Sequence, residues 1–211
     1  MDIFDSVKRG DSNSFWRWFA KSADRIARDY DAMLSGKMDA NSVMEKVGQK
    51  LHHYHPDLAF EIGKDGDLFD FVLSAEGLRD NIEPVMKLHR SAPSIPRWKV
   101  TAFRKRMALS EAKLEVGGTD LDWNKVFFKL AQPDDGRCDL TIGFETGSLP
   151  ADMKLNMPGF LTADLALGEY YVMTKIGHVD FVWIEPGSEA QFAPIAELAD
   201  EFDNYFREAK N

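Results

Sequence analysis

The sequence has a single cysteine, Cys138, in 211 residues. This excludes an internal disulfide and every cysteine-based zinc pattern. Its alternation with Leu140, Ile142 and Phe144 reads as a buried strand position rather than a nucleophile. A long apolar run is also lacking: the most apolar helix-like stretch, GFLTADLALGEYYVM, is interrupted by Asp164 and Glu169, so no membrane segment is expected. Basic residues are in the minority, 26 against 35 acids, for a formal charge of −9. That balance argues against DNA or general nucleic-acid binding, which rests on an excess of Lys and Arg. There is no G-x-S-x-G, no H-E-x-x-H and no phosphate-loop glycine spacing, so neither a cofactor nor a metal is expected. The opening segment, MDIFDSVKRGD, carries Asp2 and Asp5 and has no apolar run after Arg9. It does not read as a secretory signal, and a cytoplasmic location is expected.

What is present is ample material for a core, with 44% apolar and 12% aromatic residues. SNSFWRWFAKSADRIARDYDAML predicts an amphipathic helix capped at Ser12 or Ser14, with Phe15, Trp18, Phe19, Ile26, Tyr30 and Met33 on one stripe. Trp16, off that stripe, is either packed in the core or partly exposed as an interface residue. A second helix, capped at Asn41 or Ser42, carries Val43, Met44, Val47 and Leu51 and ends before Pro56. The pattern then changes to period two: LAFEIG and LFDFVLSA read as a hairpin turning at DGD. The spacing Leu78, Ile82, Val85, Met86, His89 predicts a helix before the strand RWKVTAF. The same order recurs in KVFFKLA, CDLTIGFE, a helix through GFLTADLALGEYYVMTK, and HVDFVWIE, with a turn at QPDDGR.

The expectation is one compact α+β domain over 1–211. N-terminal helices (12–55) precede a first ββαβ unit (57–104), a connector with a short ribbon at Gly117-Gly118 (105–123), a second, weakly similar ββαβ unit (124–186) and a C-terminal helix (193–209). Each crossover helix should join parallel strands and each hairpin add an antiparallel neighbour. The result would be a mixed, mainly antiparallel sheet with helices largely on one face, ferredoxin-like in each half. The blocks FWRWF, LAFEIG, LSAEG and APSIPRWKVTAFRKR resemble a family of uncharacterised bacterial cytosolic proteins. Its members open with an FWxWF helix and carry an AP-x-x-x-x-W-K-x-x-A-F segment. The resemblance covers the first half and the second only by pattern; it implies the same architecture and a bacterial cytosolic setting, and supplies no site residues.

Four groups are candidates for function. His52, His53 and His55 cluster at a helix end; His52 and His55 lie three apart, but Pro56 unwinds the turn that would hold them, and dipole complementation is the simpler role. From Pro84 to Ser110 there is no acid, while Lys87, Arg90, Arg97, Lys99, Arg104, Lys105 and Arg106 supply seven positive charges. Strand alternation turns Trp98, Val100 and Ala102 inward and Arg97, Lys99 and Thr101 outward. Arg97, Lys99, Arg104 and Arg106 are therefore the expected binding residues, for an acidic protein partner or a small anion. The competing reading has these charges meet the acidic C-terminal helix of Glu197, Asp200, Glu201 and Asp203. His178 and Asp180 share a strand face and could form an acid–base pair, and Glu61, Asp70, Asp139 and Glu145 are strand carboxylates. A non-enzymatic binding or interaction module ranks first, and a small-molecule enzyme built from those scattered His and carboxylate residues second.

Overall fold

The computed structural model describes residues 11–131 and 136–208; the opening decapeptide and most of the QPDDGR turn lie outside them. The chain divides into two compact units between Phe103 and Arg104.

In the first unit, α1 (Ser12–Leu34) is capped by Asp11, whose carboxylate accepts from the Ser14 amide at 2.6 Å. The cap is thus one residue earlier than the serines suggested. Phe15, Trp16, Phe19, Ala23, Ile26 and Ala27 are its buried apolar residues, and Trp18 is only half-buried. Trp16, at 2% exposure, donates its indole N–H to the Leu88 carbonyl at 2.8 Å, so it is core and not an interface residue. Gly36, at φ +69°, ends the helix. Asp39 holds the N-cap position of α2 (Ala40–Tyr54), and Asn41 and Ser42 fall inside its first turn. The helix stops at His55, whose extended backbone is what the following proline imposes.

β1 (Ala59–Asp65) and β2 (Leu68–Ser74) form the expected hairpin, and α3 (Ile82–Arg90) crosses to β3 (Trp98–Ala102), parallel to β2. The sheet order is β1-β2-β3. One face carries Phe60, Ile62, Phe69, Phe71 and Trp98, and α1 packs its aromatics against them: Phe19 lies 4.7 Å from Phe71, and Phe69 stacks on Trp98 at 4.8 Å. The strands joined by the crossover are adjacent, with none between them, so this half is not the split arrangement of a ferredoxin-like fold. Phe103, at φ +63°, turns the chain out of β3 immediately after its amide has bonded the Leu73 carbonyl.

In the second unit, a two-stranded ribbon of β4 (Glu115–Val116) and β5 (Thr119–Asp120) turns at Gly117-Gly118 as expected. β6 (Val126–Ala131) and β7 (Cys138–Glu145) pair antiparallel, and α4 (Asn156–Leu167) with α5 (Glu169–Lys175) leads to β8 (Ile176–Ile184), parallel to β7. The expected single crossover helix is therefore two, broken at Gly168. The expected start of the last helix is instead a short strand, β9 (Ala193–Pro194), on the outer edge of β6. Pro194, lacking an N–H, fits there because only one side of an edge strand is bonded. The helix itself is α6 (Leu198–Glu208). Sheet order is β8-β7-β6-β9, and the buried residues Leu140, Ile142 and Phe144 of β7 lie at the centre of the core.

The α+β class and the mix of parallel and antiparallel pairing stand as expected. The strands do not form one sheet, however. Phe103 bends the chain away from β3, β9 takes the outer edge of β6, and each half closes on its own helices. Among the described residues no helix is long and apolar enough to cross a membrane.

Candidate functional site

The four basic residues singled out from sequence divide between the units, two in each, and all four are engaged within the protein. Arg97 occupies the third position of a tight turn in which the Trp98 amide bonds the Ile95 carbonyl at 3.0 Å; its φ of +65° is a glycine-like conformation. Its guanidinium lies 5.2 Å from the Phe69 ring and donates to the Asp67 carbonyl. Lys99 reaches Asp70 at 2.8 Å, and the same carboxylate accepts the Thr101 hydroxyl at 2.6 Å. Thr101 is buried, not outward-facing, because that hydrogen bond satisfies it, while Val100 and Ala102 are only half-buried.

In the second unit the segment Arg104–Arg106 runs against the α4–α5 break. Arg104 pairs with Asp164 at 3.3 Å, and its amide donates to the buried Glu169 carboxylate at 3.0 Å. Arg106 forms two parallel bonds with Asp203 of α6, at 2.9 and 3.0 Å. These bonds hold the Asp203 carboxyl below its ordinary range. Gly168 permits this passage, since a Cβ there would sit 3.2 Å from the Arg106 amide.

The histidines fall as their positions suggest. His52 and His53 project from the last turn of α2 and are exposed. Buried Nδ1 of the adjoining His55 lacks a hydrogen-bond partner. Among the described residues, no group of three His, Cys, Asp or Glu side chains could hold a metal ion.

Of the strand carboxylates, Asp70 is tied to Lys99 and Glu145 to Lys125 at 3.3 Å, and Glu61 is exposed on β1. Asp139 alone joins the histidine pair. β8 carries one extra residue opposite β7 at this point, and the Asp139 carboxylate fills the bulge by accepting the His178 amide at 2.8 Å. The His178 imidazole in turn lies 3.3 Å from Asp180, with the two side chains 67% and 63% exposed. A pair so open to water is strongly screened, and its geometry suits a surface contact better than proton transfer in a closed site. Cys138 is buried, and burial, with the neighbouring Asp139 charge, pushes its thiol up to about 12.

The surface that sequence reading passed over lies beside this pair. β8 is the outermost strand of its sheet, and among the described residues its outer edge pairs with no strand. On its helix-facing side, Phe181 meets Phe160 edge-to-face at 4.9 Å, and Trp183 follows two residues along the same face. Met157, Phe160 and Trp183 are 55%, 45% and 36% exposed. A signal existed: α4 reads NMPGFLTADLAL, with a single charge and no polar face, so part of its apolar surface had to remain outside.

No family model matches this chain, and the comparisons with curated proteins and with solved structures yield no match.

Proposed function

We propose that the protein is a non-enzymatic binding module that receives an extended segment of a protein partner along the outer edge of β8. The observation that carries this reading is the exposure of the large apolar side chains Met157 and Phe160 on α4 and Trp183 on the nine-residue edge strand, with Phe160 packed on Phe181 of that strand. An edge strand offers main-chain donors and acceptors for affinity, and flanking apolar side chains supply pockets for alternate residues of the added strand. Large aromatic residues are the usual anchors of such contacts. The basic strip contributes little, because Arg104 and Arg106 already have carboxylate partners and Lys99 has Asp70.

The test is a pull-down with the tagged full chain at low and at moderate salt, run beside Phe160→Asp and Trp183→Asp. The expected result is one protein retained near one-to-one at both salts and lost from both variants, since apolar contacts are insensitive to screening. A partner that washes off as salt rises, and that is lost on charge reversal at Arg97 and Lys99 instead, would point to an acidic partner on the basic strip. No protein retained at either salt would overturn the reading.

A further inference from the structure

A second surface on the same unit has a different chemistry. α5 and α6 flank an open groove of about 350 Å³ lined by Tyr171, Lys175, Phe202, Asp203, Phe206 and Arg207. Its apolar wall is aromatic: Phe202 is buried, Phe206 lies 4.8 Å from it, and the Tyr171 ring stands edge-on at 6.2 Å. Its polar groups are mostly cationic. The Lys175 ammonium sits 5.2 Å from the centre of the Phe206 ring, and among the described residues neither Lys175 nor Arg207 has a carboxylate in salt-bridge contact. Asp203 is the one acid in the lining, and both of its oxygens are already bonded to Arg106. Arg106 itself lies over Tyr171 at 5.6 Å. A local excess of positive charge over an aromatic wall is notable in a half of the chain that is otherwise rich in acids.

We propose that this groove binds a small organic acid with a flat apolar body, its carboxylate between Lys175 and Arg207 and its body against Phe202, Phe206 and Tyr171. Both halves of such a ligand find a partner. The carboxylate meets two cations, neither in salt-bridge contact with an acid among the described residues, although Asp203 attracts Arg207 at longer range, and ring faces meet ring edges at distances the site already uses internally. The volume is at the small end of what small-molecule sites occupy, which favours a one- or two-ring acid over a nucleotide. A neutral analogue would keep only the apolar contacts, and a short aliphatic acid only the charge contacts.

The test is isothermal titration calorimetry on the full chain with three probes: 1-naphthoate, the neutral 1-naphthalenemethanol, and acetate. Naphthoate is expected to bind at least about tenfold more tightly than either control. Lys175→Gln and Arg207→Gln should each weaken naphthoate binding about fivefold, the size of one partly screened charge contact, and leave the alcohol unchanged. Phe206→Ala should weaken both aromatic probes. Lys175 and Arg207 lie on the rim, and circular dichroism of their variants serves as the folding check. Equal affinity for naphthoate and the alcohol, naphthoate binding unmoved by the two charge variants, or no binding at millimolar probe would overturn the proposal. The readout does not involve β8, so it stands or falls apart from the strand-edge reading.

Discussion

Single residues decide several features that composition leaves open. Gly168 sits at φ +86° and ψ +134°, a region that L side chains rarely enter, with the backbone of Arg104 and Arg106 where a Cβ would be. Gly168→Ala should therefore cost about 2–3 kcal/mol, combining backbone strain with displacement of the Arg104–Arg106 segment, measured by chemical denaturation. Cys138 makes the opposite kind of statement, that of a reactive group held inert. With its thiol pushed up to about 12, almost no thiolate exists at neutral pH, so a maleimide should label the protein only in denaturant. Labelling of the native protein within minutes would contradict the buried position. Trp16 shows why a helical stripe is best read with its small residues included. Large side chains alone place the stripe on Phe15, Trp18 and Phe19, but the buried Ala23 and Ala27 shift it towards Trp16, whose indole N–H then finds the Leu88 carbonyl.

At the scale of elements, the sequence was legible wherever periodicity changed or a turn residue intervened. Both hairpins, both parallel crossovers and the Gly117-Gly118 ribbon lie where alternation and glycine predicted them. Tertiary partners wrote the rest. Nothing in Ala193–Pro194 announces a strand, because its two-residue pairing exists only once β6 presents an edge. The basic strip was legible as a charge anomaly but not as geometry, since carboxylates that neutralise Arg104 and Arg106 come from 60 and 97 residues away. The bond between Arg106 and Asp203 fastens the connector to α6, and it has a testable pH signature. Asp203 is held ionised more readily in the folded chain than in the unfolded one. The stabilisation is therefore present above the unfolded carboxylate value of about 3.9 and is lost as pH falls through the lower folded value. A double-mutant cycle of Arg106→Gln and Asp203→Asn should give a coupling of about 0.5–1 kcal/mol at neutral pH, modest because both side chains are more than a third exposed, and a smaller one as the pH is lowered into the acid range. α4 offers a packing test as well. A Cβ on Gly159 would fall 2.2 Å from the Phe181 ring, so Gly159→Ala should destabilise by about 2–4 kcal/mol, and Phe181→Ala in the same chain should recover part of that loss.

For the whole molecule, the unequal division of charge between the two units matters more than the total of −9. Residues 1–103 hold 16 acids and 15 bases, close to neutral, whereas residues 104–211 hold 19 acids and 11 bases and carry nearly all of the net charge. Charge of one sign confined to one compact unit repels itself there, and salt relieves that repulsion over a screening length of about 10 Å at 0.1 M. The two units should thus answer salt differently although each is built on the same ββαβ plan. Amide hydrogen exchange read by mass spectrometry separates them, with β2 reporting on the first unit and β7 on the second, each a central strand with buried aromatic or branched side chains. Raising sodium chloride from low to moderate concentration should slow exchange in β7 several-fold and leave β2 nearly unchanged, because opening of the first unit releases little like-charge repulsion. Equal slowing in both strands would mean that the chain opens as one cooperative body, with the repulsion of its acidic half shared by the whole.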